Sequence, residues 1–159
     1  MSEIAEAVSE QQLEQIRNLF REYQAELVPQ YRAQSLEAQL AKLPGVYGPP
    51  QGKLLLATIA GQPVGCVGLR PFPLQGACEM KHLYVRPTFR GGKVGKDLVE
   101  RTIQEARTLG CSRLRLDTHP PTMGAALAMY RKFGFREVAP GPVEAVPGLL
   151  YMELLLTAE

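Results

Sequence analysis

The sequence predicts one α/β domain, spanning residues 1–159, in which helices cover both faces of a mixed sheet. Two observations lead to this fold class. The chain has 159 residues, of which 45% are hydrophobic and 21% are charged, as expected for one globular domain with one core. Segments of helical and strand periodicity follow in the order helices, strand hairpin, strand, helix, strand, helix, and one or two final strands.

Helical periodicity identifies four helices. In the first, Leu13, Ile16 and Phe20 form one apolar stripe, and Ser9 stands in front of it in the position of an N-cap. Glycine or proline follows the other three and ends them. The predicted helices are residues 11–29, 35–43, 94–109 and 123–133.

Strands are predicted where apolar runs replace the helical period. The first two form a hairpin because Ala-Gly-Gln-Pro at 60–63, between them, is typical of a turn. Pro87 stops the third, since proline cannot donate a hydrogen bond to a sheet. The predicted strands are residues 53–59, 64–69, 77–85, 112–117 and 149–155.

Composition and charge argue against several classes of protein. A formal net charge of +2 is too small to indicate nucleic-acid binding. The chain has no apolar stretch near the roughly 20 residues of a membrane helix, and its acidic start is unlike a signal peptide. Cys66, Cys78 and Cys111 are widely spaced, which favours free, buried thiols over a metal site or disulfides. We therefore expect a cytoplasmic protein without a metal, a membrane or a nucleic acid as partner.

Residues 79–96 carry the strongest chemical signal. They combine a strand, a glycine-rich turn and the start of a helix, so that backbone N–H groups and the positive end of the helix dipole meet at one point. Such a point binds anions, and the several cationic side chains of this turn favour a ligand with more than one phosphate. The residues of this turn are Arg90, Gly91, Gly92, Lys93, Val94, Gly95 and Lys96.

Two motifs make the resemblance to a known family specific. The turn resembles the pyrophosphate-binding motif of the GNAT superfamily, Gln/Arg-x-x-Gly-x-Gly/Ala, with Arg90 and Gly95 at its first and last positions. Lys93 departs from this motif at the first glycine. Residues 130–135, Tyr-Arg-Lys-Phe-Gly-Phe, resemble the Tyr and Gly-Phe hallmark of the following helix, although Met123 replaces the frequent asparagine. With the order of elements, the resemblance covers residues 11–155.

The resemblance implies a fold, a co-substrate and a set of contacts. The sheet should be mostly antiparallel and splayed, with strands 77–85 and 112–117 parting to admit the pantetheine arm of acetyl-CoA. The backbone of Leu83, Tyr84 and Val85 should pair with pantetheine like an added strand. The turn from Arg90 to Lys96 should hold the pyrophosphate. The implied reaction is transfer of the acetyl group to a primary amine by direct attack in a ternary complex, without a metal.

Candidate catalytic residues have both a catalytic and a structural interpretation. Glu79 is the candidate base for the amine, but it could also be a solvated carboxylate that pairs with Lys81 or binds a cationic substrate. Tyr130 is the candidate acid for the departing thiolate, but it could be a core tyrosine. We expect His82 to be a packed side chain on the face opposite Glu79 if the strand is regular, and assign no role to His119.

The sequence leaves alternatives open for both the function and the acceptor. A non-catalytic acyl-CoA-binding or sensing module, or a general phosphate-binding domain, would also need the glycine-rich turn. The acceptor could be a small molecule, a protein N-terminus or a lysine, and a homodimer is open. Specificity should lie in the first two helices and in loops 45–52, 118–122 and 139–148.

Overall fold

The computed structural model describes residues 2–156 of the chain. Most of these residues belong to the strands of one mixed sheet or to the helices that pack against it. Its strands are β1 (Glu3–Glu6), β2 (Lys53–Ile59), β3 (Gln62–Pro71), β4 (Ala77–Val85), β5 (Arg113–Thr118), β6 (Arg136–Glu137) and β7 (Leu150–Leu155). Its α-helices are α1 (Glu10–Glu26), α2 (Leu36–Ala41), α3 (Val94–Thr108) and α4 (Gly124–Phe133). Met1 and residues 157–159 of the predicted domain lie outside the described residues.

The strand order is β1-β2-β3-β4-β5-β7-β6, and neighbouring strands are antiparallel except for β4 and β5. The predicted mixed, mostly antiparallel sheet is therefore confirmed. The sequence did not indicate β1, a four-residue edge strand that pairs with β2 and alternates exposed and half-buried residues. Its acidic residues hide the apolar alternation by which strands are recognised.

Helix α1 begins where its capping residues predict. The Ser9 hydroxyl accepts a hydrogen bond from the Gln12 amide at 3.1 Å, and the Gln12 side chain accepts one from the Ser9 amide at 3.1 Å. This reciprocal pair satisfies two of the N–H groups that a helix start leaves without partners. The helix ends at Glu26, earlier than predicted, because a short 3-10 turn at Pro29–Tyr31 follows it.

Helices cover both faces of the sheet, as predicted, since β2 and β3 alternate apolar side chains between the faces. Leu54 and Leu56 pack with α1, whereas Leu55 and Ala57 pack with α3. The α1-side core also contains Ile16, Leu19, Phe20, Leu40, Tyr47 and Cys66. The α3-side core also contains Met80, Leu98, Val99, Ile103, Leu114, Leu116, Tyr130, Phe135 and Met152.

Strands β4 and β5 part in the middle of the sheet. They pair in parallel only at Ala77–Arg113, Cys78–Leu114 and Glu79–Arg115. Beyond these pairs β4 continues to Val85 without another strand, among residues 2–156, on the side that faces β5. The expected splay is therefore present, and it leaves an unpaired strand edge inside the sheet.

Helices of the described residues are also too short or too polar to cross a membrane.

Candidate active site

A cavity of about 700 Å³ opens on the α1 side of the sheet, beside the point where β4 and β5 part. Its floor comes from side chains of β3, β4 and β5. Its walls come from residues 45–51, 71–73 and 143–146, and the first two of these segments contain prolines. Val46 and Val146, both exposed, form part of its apolar rim. The first and last of these wall segments lie in or overlap loops in which the sequence predicts acceptor specificity.

Glu79 lies in the floor of this cavity and is almost fully buried. Its Oε1 accepts a hydrogen bond from Arg70 Nε at 3.1 Å and lies 3.0 Å from Arg70 Nη2 in an ion pair. Its Oε2 lies 3.9 Å from Lys81 Nζ. Arg70 therefore holds the carboxylate through Oε1. Oε2 faces the more distant Lys81 and is available to a ligand. Arg70 is the main partner, a contact that spacing along β4 could not reveal.

Lys81 and Asp117 carry the next charges on the same floor, with Lys81 Nζ 3.4 Å from Asp117 Oδ2. Arg115 completes the floor, but Glu153 Oε2 and the carbonyls of Ala139 and Pro140 accept its hydrogen bonds. The sequence analysis did not single out Asp117. The signal that could have found it is the alternation of β5, which puts residues 113, 115 and 117 on one face.

Tyr130 is buried in α4 and packs against Phe135, with ring centroids 5.7 Å apart. Gly134, at a φ of +103°, ends α4 and turns the chain so that Phe135 folds back onto this ring. Burial raises the pKa of Tyr130 above its ordinary value, and the negative charge of Asp117 raises it further. The phenol therefore keeps its proton at neutral pH.

The glycine-rich turn lies between β4 and α3. Gly91 has a φ of +87° with open space where a Cβ would stand, so this glycine is required by its backbone angle and not by packing. Lys93 is the N-cap residue of α3, and no side chain caps the helix within residues 2–156. Among the described residues, the first amides of α3 therefore have no side-chain cap. Arg90, Gly92, Lys93 and Val94 at this helix start help to line a second cavity of about 500 Å³.

Cations at this turn differ in their availability. The Arg90 guanidinium donates to the Val85 carbonyl at 2.7 Å and to Glu26 Oε1 at 2.7 Å, so its charge is already shared with α1. Lys93 and Lys96 are exposed and make no ion pair within residues 2–156. A phosphate group at the turn would therefore meet the two lysines and the α3 amides, with Arg90 holding the turn against β4.

Comparisons with known proteins identify the family. The model of the Acetyltransferase (GNAT) family matches residues 13–135. The chain belongs to this family. An uncharacterised N-acetyltransferase of Schizosaccharomyces pombe is 39% identical over 145 residues, which cover 91% of this chain and 88% of that protein.

Solved structures show the same fold for this GNAT acetyltransferase. An acetyltransferase of Streptococcus agalactiae superposes with a TM-score of 0.79 at 22% identity, covering 98% of each chain. The Salmonella typhimurium protein YncA, solved with its cofactor acetyl-CoA, superposes with a TM-score of 0.76 at 19% identity, covering 99% of this chain and 95% of that one.

A β-bulge in β4 places His82 on a different face of the GNAT sheet from the one predicted. Gly68 pairs with Lys81 but Cys66 pairs with Tyr84, so β4 holds one extra residue between these pairs. His82 has a φ of +58° and lies on the same face as Glu79, not on the opposite one. The predicted face of His82 was wrong because the prediction assumed a regular strand.

Aromatic rings surround His82 on the α1 side. Its ring centroid lies 4.3 Å from that of Phe20, 5.7 Å from that of Tyr23 and 6.0 Å from that of Tyr47. Burial first, and then Lys81 and Arg70, lower the pKa of His82 to about 3. The histidine is packed, as expected, and its lowered pKa keeps it neutral at pH 7.

His119 lies in a turn outside the floor of the cavity. Its Nδ1 is 2.7 Å from the Thr122 hydroxyl, and its ring packs 5.0 Å from that of Tyr31. These contacts hold the loop after β5.

Burial also decides the chemistry of the cysteines. Cys66 and Cys78 are buried, Cys111 is half-buried, and all three thiols are free. Burial raises the pKa of the Cys66 and Cys78 thiols, so neither forms a thiolate nucleophile at neutral pH.

Proposed function

We propose that this GNAT acetyltransferase transfers the acetyl group of acetyl-CoA to a primary amine by direct attack in a ternary complex. The parting of β4 and β5 carries the proposal. The gap begins beside Glu79, in the floor of the 700 Å³ cavity, and follows β4 towards Val85 and the glycine-rich turn, so a donor and an acceptor could meet between the strands.

The donor would lie along the free edge of β4. Leu83, Tyr84 and Val85 lie in the part of β4 beyond its last pair with β5, where the amides of pantetheine could pair with the backbone as an added strand would. The Val85 carbonyl already accepts a hydrogen bond from Arg90, which leaves mainly the other groups of this edge for the ligand. The pyrophosphate would bind the amides of the turn from Gly91 to Lys96. YncA, a protein of the same fold, was solved with acetyl-CoA, which supports the choice of donor.

The transfer needs a base, a polarised carbonyl and an acid. An alkyl ammonium has a pKa of about 10.4, so most of the acceptor arrives protonated and must lose a proton. Glu79 Oε2, directly or through a water, would accept it. A backbone amide near Leu83 would polarise the thioester carbonyl. As the C–N bond forms and the C–S bond breaks, Tyr130 would give its proton to the thiolate and regain one from solvent.

The cavity supports a small-molecule amine or the flexible end of a protein as acceptor. Its volume of about 700 Å³ is within the range of small-molecule sites. Its mixed lining, with an apolar rim and a charged floor, suits an amine attached to an apolar body.

A CoA-release assay tests the proposal. Acetyl-CoA is incubated with the protein and with a panel containing n-butylamine, 2-phenylethylamine, amino acids and peptides with free N-termini or lysines. The expected result is CoA release that depends on one class of amine, with the acetylated amine identified by mass spectrometry. Binding of acetyl-CoA without transfer to any amine would instead favour a non-catalytic acyl-CoA-binding module.

A further inference from the structure

Lys81 and Asp117 face each other across the gap between β4 and β5. Each lies two residues beyond Glu79–Arg115, the last backbone pair between these strands. Because side chains alternate along a strand, both lie on the cavity face with that pair. Their 3.4 Å contact therefore spans the opening through which an amine would reach the thioester.

We propose that Asp117 binds the ammonium group of the acceptor, and that Lys81 occupies this place while no acceptor is bound. The inference rests on the proposed amine acetylation. Lys81 Nζ is itself a primary ammonium group on an alkyl chain, lying between Asp117 Oδ2 at 3.4 Å and Glu79 Oε2 at 3.9 Å. The site thus already holds the chemical group that an amine acceptor would bring.

Asp117 suits this role better than Glu79. Glu79 Oε1 accepts a hydrogen bond from Arg70 Nε and lies 3.0 Å from Arg70 Nη2, and these two contacts restrain the carboxylate at the floor of the cavity. Within residues 2–156, the Asp117 carboxylate has one hydrogen-bond and ion-pair partner, Lys81, at a distance longer than the roughly 2.8 Å of a strong charged hydrogen bond. An acceptor ammonium that approaches more closely would displace Lys81, whose flexible stem can turn away.

This assignment separates two tasks that one carboxylate would otherwise perform. Asp117 would hold the ammonium group, and Glu79 would take its proton as the nitrogen attacks. The alternative arrangement keeps Lys81 in place as the binding group for a carboxylate of the acceptor, with Asp117 only orienting it. The two arrangements predict opposite effects of removing Lys81.

Kinetics of variants distinguish the two arrangements. The acceptor is whichever of n-butylamine, 2-phenylethylamine and a tripeptide with a free N-terminus the wild-type protein acetylates fastest. Asp117→Asn should raise KM for the amine roughly 10- to 100-fold, the range expected on losing a charged hydrogen-bond partner, without changing KM for acetyl-CoA. Lys81→Met should lower KM for the amine, and Asp117→Glu should recover part of the loss.

Glu100→Gln is the control for removing a carboxylate charge, because Glu100 is exposed on α3, lines neither cavity and makes no ion pair within residues 2–156. Its kinetics should equal those of the wild type. An unchanged KM for the amine in Asp117→Asn, or a raised KM in Lys81→Met, would overturn the inference while leaving the proposed function intact. A wild-type protein that binds acetyl-CoA but acetylates none of the amines would overturn both.

Discussion

Gly91→Val tests whether the glycine-rich turn binds acetyl-CoA. No atom lies within 4 Å of the position where a Cβ would stand, so the cost comes from the backbone, whose φ is +87°. An L-residue held in the left-handed region costs about 1 to 2 kcal/mol, and a β-branched one resists it further. For a domain of this size, 1 kcal/mol corresponds to about 2 to 4 °C in Tm, so the free variant should melt roughly 2 to 8 °C lower.

The ligand response distinguishes binding from stability. Acetyl-CoA or CoA at about 100 times its Kd should stabilise the wild-type protein by about 2.7 kcal/mol, or roughly 5 to 11 °C. Gly91→Val should lose this shift because the turn can keep its amides aimed at the pyrophosphate only under strain.

Gly92→Ala is the control for this experiment, since Gly92 has no positive φ and an added Cβ would meet only the Phe89 carbonyl at 3.9 Å. It should keep most of the ligand shift. The reasoning is refuted if Gly91→Val retains the full shift, or if the folded wild-type protein shows none.

Three further predictions concern single side chains. Glu79→Gln should lower turnover by about 10²-fold at acidic and neutral pH and recover as rising pH deprotonates the amine; an equal loss at every pH would indicate substrate binding instead. Tyr130→Phe should reduce the chemical step in single-turnover measurements but bind CoA normally, and acetylation at the wild-type rate would make Tyr130 a core residue. His82 has a pKa lowered to about 3, below its unfolded value of about 6.5, so the unfolded state binds more protons between these values. Denaturant unfolding should show that the free energy of unfolding falls from pH 7 towards pH 4. The fall should be less steep in His82→Asn, since asparagine tolerates the positive φ, than in a His119→Gln control. Equal slopes in the two variants would contradict the buried neutral ring.

Local signals in the sequence determine most of the elements. The capping pair of Ser9 and Gln12 starts α1, and Gly134 ends α4, because these contacts involve residues only a few positions apart. The turn from Arg90 to Gly95 is also local in sequence: its glycines and cations before a helix start predict an anion site, and it resembles the family motif. The mixed sheet follows from the order of these elements.

Only the tertiary structure decided which charged side chains meet. Arg70 reaches Glu79 from β3, and Lys81 reaches Asp117 across the gap. The bulge at His82 depends on the register between β3 and β4, and it moves that side chain to the other face of the sheet. A strand's sequence specifies which residues alternate, but its register is set by the strand beside it, so one inserted residue changes every facing contact beyond that point.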